Sequence, residues 1–165
     1  MIQLPDAERL VTALIDQMRP QVSSAAGLVG IRTGGVWIAE RLHTALRCTV
    51  PPAALDVSFY RDDFDAEGLK HAVQSSHIPF EVEGRDLILV DDVLYTGRTI
   101  RAAMNELFDY GRPRSIRLAA LIDRGGRELP IAAQFLGATL EVPARYSVDL
   151  EQENGRLRFA LREKK

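Results

Sequence analysis

Apolar positions recur at helical spacing near the start of the chain. Ala7, Val11, Leu14, Ile15 and Met18 share one face and predict a helix over residues 4–18. Pro5 suits its first turn and Pro20 ends it. "AAGLVGI" (25–31) is an apolar run of strand length. "RTGG" follows, and then "VWIAERLHTAL" predicts a helix with Ile38, Leu42, Ala45 and Leu46 inward. "ALDVSFY" (54–60) alternates like a strand. "RDDFDAEGLKHAVQSSHIPFEVEGR" is polar with little periodicity, and a stretch of that length in a compact domain is often an active-site loop. "DLILV" is continuous and apolar, as in a strand covered on both faces. Residues 98–110 predict a helix with Ile100, Ala103, Met104, Leu107 and Phe108 buried and Gly111 as its stop. "SIRLAALI" predicts a strand and "DRGGRELP" a loop. "AQFLGATLEV", "YSVDLEQ" and "GRLRFALR" predict short strands, the last two a hairpin around Glu153-Asn154-Gly155. In that last strand Leu157, Phe159 and Leu161 take one face, and Arg156, Arg158 and Arg162 the other.

Strands alternating with helices predict an α/β fold with a mainly parallel sheet flanked by helices, in one domain over residues 1–165. Ligands of such sheets sit beyond the carboxyl ends of the strands. The loops at 32–35, 61–80, 91–99 and 123–127 all follow strands, so they are expected along one edge.

Composition narrows the picture. A net charge of −2 gives no global basic field for nucleic acid. Cys48 is the one cysteine, so no internal disulfide forms and a reducing, cytoplasmic setting is expected. No apolar run reaches membrane-spanning length. His43, His71 and His77 are scattered, and no Cys/His cluster suggests zinc.

The chemistry concentrates in "LILVDDVLYTGRTIRAAM" (87–104). Thr96, Gly97, Arg98 and Thr99 lie between a buried strand and a helix start. Unpaired helical N–H groups, the positive dipole end and two hydroxyls there form a phosphate cradle. An ordinary N-cap turn is the plainer alternative. Asp91 and Asp92 precede the cradle. Together they can accept hydrogen bonds from neighbouring hydroxyls or steer a hydrated Mg²⁺. Carboxylates beside a phosphate cradle describe a ribose 5-phosphate site. The acidic strand end also resembles that of a nucleoside-triphosphatase, but G-x-x-x-x-G-K-[ST] is missing, as is G-x-G-x-x-G.

"ILVDDVLYTGRTIRAA" resembles the phosphoribosyl-pyrophosphate motif of type I phosphoribosyltransferases. The variant V-D-D-V-L-Y-T-G-R-T is similar to that of the PyrR family, bifunctional pyrimidine operon regulators and uracil phosphoribosyltransferases. "VGIRTGGVWIAERL", "DVSFYRDDF", "GRPRSI" and "LIDRGGRELPI" resemble further segments of that family in the same order, covering most of 28–137. The resemblance implies Mg²⁺-dependent conversion of uracil and phosphoribosyl pyrophosphate to UMP and pyrophosphate. It implies that Asp91 and Asp92 address the ribose hydroxyls, directly or through metal-bound water. Val93, Leu94, Tyr95, Thr96, Gly97, Arg98 and Thr99 would hold the 5-phosphate end. Arg32, Thr33 and Gly34 would meet the pyrophosphate. The segment at 61–80, with Arg61, would close over the reacting centre. Backbone groups of Ile122, Asp123, Arg124, Gly125 and Gly126 would pair with uracil, under a small β hood at 123–165. The family also implies a homodimer or larger homo-oligomer.

Two departures matter. The family usually has an arginine where this chain has Gly34, with Arg32 as the nearby substitute. Binding of messenger RNA, the family's second role, needs a basic face. Here the first helix has Arg9 as its one cation, and Gly126 and Ala132 stand where RNA-binding relatives tend to be polar or basic. The tail arginines form either a patch or a solvated strand face. A uridine-nucleotide-sensing RNA regulator with weak catalysis, and a transferase for another base, remain as alternatives.

Overall fold

The computed structural model describes residues 2–57 and 76–165. Arg61, His71, most of the 61–80 loop and the end of the expected strand 54–60 lie outside the described residues.

Strand β1 (Gly27–Ile31), helix α2 (Gly34–Leu46) and strand β2 (Ala53–Leu55) form one β-α-β unit behind helix α1 (Ala7–Met18). Strand β3 (Asp86–Leu94), helix α3 (Arg98–Asp109) and strand β4 (Ser115–Asp123) form the other. Strand β5 (Phe135–Thr139) and the hairpin β6 (Tyr146–Glu153) and β7 (Arg156–Glu163) follow. The sheet runs β2-β1-β3-β4-β5, parallel throughout. From β1 the chain crosses to one side and from β3 to the other. Right-handed crossovers in opposite directions put their helices on opposite faces. The core divides accordingly. Leu28, Ile88, Val90, Ala119 and Leu121 pack under α1 and α2, while Val29, Leu87, Leu89 and Ala120 pack under α3. Each such fully buried branched side chain contributes about 1.5–3 kcal/mol. The crevice where the order reverses lies between β1 and β3, and α/β sheets bind ligands at such a point.

Several expected boundaries move for physical reasons. Helix α1 starts at Ala7, because the Asp6 carboxylate caps it by accepting from the N–H groups of Glu8 (2.9 Å) and Arg9 (3.3 Å). Pro5 stands outside the helix. Strand β2 is short, and β5 occupies only the middle of its expected run. Strand β3 continues through both aspartates to Leu94, because its ladder with β4 pairs Asp91 with Ala120 and Val93 with Ile122. Helix α2 starts at Gly34 rather than at Val36.

The hairpin turns at Asn154 and Gly155, with φ of 51° and 75°. Paired positive φ values are what a tight two-residue hairpin turn requires. Val148, Leu150, Leu157 and Phe159 point back into the α1–α2 side of the core. A polar clasp holds the hairpin there. Glu8 accepts from Arg41 Nη1 at 2.9 Å and from the Leu157 N–H at 2.7 Å. These hydrogen bonds, that of Arg41 first, hold the Glu8 carboxyl below its usual range.

Candidate active site

The two aspartates are buried, at 5% exposure for Asp91 and 7% for Asp92. They are not solvated surface acids. Asp91 Oδ1 accepts from the N–H of Asp92 at 3.0 Å, and Asp92 Oδ1 from that of Val93 at 2.9 Å. Asp92 points across the crevice at the loop after β1. A β-carbon on Gly34 would meet its Oδ2 at 2.6 Å. The absence of a side chain at Gly34 is therefore what lets this carboxylate lie against the loop. Gly35 has a different reason to be bare, since a β-carbon there would lie 2.3 Å from the carbonyl oxygen of Val90. Arg32 is half-buried, its N–H donates to the carbonyl of Leu55 at 2.8 Å, and the Arg32–Thr33 peptide is cis. Thr33 is exposed at the start of α2.

On the far side of the aspartates, Thr96 and Gly97 lead into α3. Gly97 is the N-cap with φ of 93°, a conformation glycine adopts without steric cost. Buried Thr96 accepts at Oγ1 from the Arg98 N–H at 3.2 Å. The Arg98 side chain is turned away from the cradle into an ion pair with Glu128 at 2.9 Å. Toward the expected phosphate site Arg98 therefore presents its place at the helix N-terminus, not its guanidinium.

The loop after β4 folds over this turn. Thr96 O accepts from the N–H groups of Glu128 (2.9 Å) and Leu129 (3.1 Å), and Arg127 ties the carbonyl of Tyr95 to Asp123. Of the expected base-reading residues, Ile122 is buried in the strand. Asp123 O accepts from Leu140, Arg124 N donates to Leu94 O, and Gly125 N donates to Asp123 Oδ1. Gly126 stands exposed against the ring of Tyr95. The Arg124 guanidinium lies 4.0 Å from the Tyr95 ring centroid and donates to the carbonyls of Val142, Pro143 and Tyr146. It fastens the hood to the site.

A cavity of about 70 Å³ opens between the sheet and the hood. Asp91, Asp92, Tyr95, Thr99 and Arg124 line it from the sheet side. Ser147, Asp149 and Lys164 line it from the hood, and sequence reasoning missed these three. Nothing in a serine or an acid of a short polar-faced strand, or in a lysine just past the last strand, signals that it crosses to the end of β3. A larger hollow, about 300 Å³, lies at the opposite end of the sheet beside Ser23, Glu83, Arg85, Asp86 and Arg114. Its charged side chains are spent on each other, on the carbonyl of Ala25 and on the N–H of Arg112. It collects no strand-end loops.

Buried paired carboxylates beside a glycine-capped helix N-terminus, at the switch point of a parallel sheet, fit a phosphoribosyltransferase, and a family profile described as phosphoribosyl transferase domain matches residues 3–145. Solved structures share the fold. They include a purine phosphoribosyltransferase from Pyrococcus horikoshii, with a TM-score of 0.63 at 24% identity over 82% of this chain and 83% of that one. A hypoxanthine-guanine phosphoribosyltransferase from Bacillus anthracis gives 0.66 at 16% identity, covering 86% and 84%. Within this class the chain belongs to the PyrR family. It is 50% identical over 153 residues to the bifunctional protein PyrR of Pseudomonas putida strain GB-1, covering 90% of this chain and 89% of the relative. The PyrR of Nitrosococcus oceani is 51% identical over 143 residues, covering 86% and 81%.

Proposed function

We propose that the protein is a uracil phosphoribosyltransferase of the PyrR type, joining uracil to phosphoribosyl pyrophosphate to give UMP and pyrophosphate. The observation that carries this reading is the set of Asp91, Asp92 and the bare Gly34 in one crevice, with the α3 N-terminus beside it. In the proposed complex Asp91 and Asp92 accept hydrogen bonds from the ribose hydroxyls. The turn from Thr96 to Thr99 holds the 5-phosphate with backbone N–H groups and hydroxyls. Arg32 and Thr33 meet the pyrophosphate, Arg32 in the role the family gives to an arginine at position 34. As the glycosidic C–O bond breaks, positive charge grows on the sugar and negative charge on the leaving group. The buried carboxylates face the former and Arg32 the latter. Positioning supplies much of the rate, because the three ligand parts are held in line by separate rigid elements.

Asp91 and Asp92 fit magnesium as hard oxygen donors. Among the described residues no third His, Cys, Asp or Glu joins them in a metal-binding group. That suits an ion that keeps several waters and takes substrate phosphate oxygens. Bound there, magnesium would neutralise the pyrophosphate and improve it as a leaving group.

The test is pyrophosphate release from phosphoribosyl pyrophosphate and Mg²⁺ with each nucleobase in turn. UMP formed with uracil alone is the expected result. Tight UMP binding with no turnover on any base would leave a nucleotide sensor instead, and turnover on a different base would replace uracil.

A further inference from the structure

We propose that Lys164 is a specificity residue, whose ammonium donates to the carbonyl at C4 of the pyrimidine. This rests on the uracil reading above and names the side chain that distinguishes uracil from cytosine. Lys164 is half-buried, and its backbone N–H is tied to the carbonyl of Arg145 at 2.8 Å, which fixes where the side chain leaves the hood. Its Nζ lies 5.4 Å from the Tyr95 ring centroid, and Lys164 and Tyr95 both line the cavity that Asp91 and Asp92 also line. The other cation of that cavity, Arg124, places its Nη1 and Nη2 groups on the carbonyls of Val142, Pro143 and Tyr146. Among the described residues Lys164 makes no ion pair with a carboxylate. Its three N–H donors can therefore turn toward a ligand, and they are the charged donors the hood brings to this cavity.

The orientation of the ligand follows from the walls. A base joined through N1 to a ribose on the aspartates directs the opposite ring position, C4, toward the hood. Uracil carries a carbonyl there, which accepts from an ammonium. Cytosine carries an amino group, which presents donor to donor. A site built to pair with one polar group discriminates strongly against a ligand that cannot supply it.

Binding of UMP, CMP and ribose 5-phosphate to the parent protein, Lys164→Met and Lys164→Arg tests the assignment. Lys164→Met is expected to weaken UMP about tenfold, to leave ribose 5-phosphate within about twofold, and to shrink the preference for UMP over CMP. Lys164→Arg is expected to restore most of that preference. Retained ribose 5-phosphate binding also reports an intact site. Equal weakening of UMP and ribose 5-phosphate, which would mean that the cation serves the phosphate end, overturns the proposal. So does an unchanged preference for UMP over CMP. Turnover is measured separately. A parent that loses its UMP preference in Lys164→Met yet makes no UMP from uracil sinks the transferase reading and keeps Lys164. A parent that makes UMP while Lys164→Met keeps its preference sinks Lys164 alone. A parent that binds no UMP sinks both.

Discussion

Gly34 and Asp92 occupy each other's space: a β-carbon on the glycine would come within 2.6 Å of the carboxylate oxygen. The two residues lie on different strand–helix units, so the crevice is set by a side chain on one wall and the lack of one on the other. Gly34→Ala should turn Asp92 aside while leaving the fold intact. We expect kcat/KM for phosphoribosyl pyrophosphate to fall about tenfold or more, since small displacements of positioned groups are costly. The melting temperature should stay near that of the parent.

Gly35→Ala is the contrasting variant. Its new carbon would press on the backbone carbonyl of Val90 at 2.3 Å, which cannot rotate away. Denaturant unfolding should show a loss of about 1–3 kcal/mol from overpacking. Equal stability of the two variants would refute the distinction.

Arg124→Lys should loosen the hood. A lysine keeps the charge but not the planar fork that reaches three carbonyls while lying on Tyr95. Stability should drop by about 1–3 kcal/mol. Amide exchange should quicken in β6 and β7 before it does in β3.

Acid sensitivity should trace to Asp86. Hydrogen bonds from Arg114, then from Ser115, pull its carboxyl down to about 2. The folded value lies below the unfolded one of about 3.9. The stabilisation is therefore complete above that value and is lost as pH falls toward 2. Melting temperatures of the parent and Asp86→Asn, followed from pH 6 downward, should converge at the acid end. A gap that persists unchanged at pH 2 would contradict this.

The tail arginines should contribute little to RNA binding. Arg162 pairs with Asp149 (3.0 Å) and Glu151 (2.6 Å), and Arg158 with Glu151 (3.2 Å) and Glu153 (3.4 Å). A phosphate would have to displace these carboxylates. Filter binding of a pyrimidine-operon leader RNA should change less than about twofold in the Arg158→Ala, Arg162→Ala double variant. Its salt slope should also be unchanged, because no counterions were released there.

The sequence made some of this legible and hid the rest for definable reasons. The stripe from Ala7 to Met18, the run "DLILV" and the Asn-Gly turn each carry their structure in local pattern. The order of cradle and carboxylates was readable too, because both belong to one strand–turn–helix. The continuation of β3 to Leu94 was not, since two aspartates end an apolar run and only pairing with β4 carries the strand through them. Nor was the start of α2, because consecutive glycines read as loop. Here they are helical residues whose missing side chains make room for Val90 and Asp92. Arg124 and Lys164 act across long separations, and no local periodicity encodes that.

The clasp of Glu8, Arg41 and Leu157 also bears on how the protein is made. The apolar face of α1 shares its core with Val148, Leu150, Leu157 and Phe159, so a helix made early is completed by a hairpin made much later. Until that hairpin emerges, α1 has part of its covering missing and the site lacks its roof. The sheet can pair earlier, but a nascent chain stalled before residue 146 holds the turn from Thr96 to Thr99 without the hood wall of the cavity. The cavity is thus closed only after the sheet that forms its floor has been made.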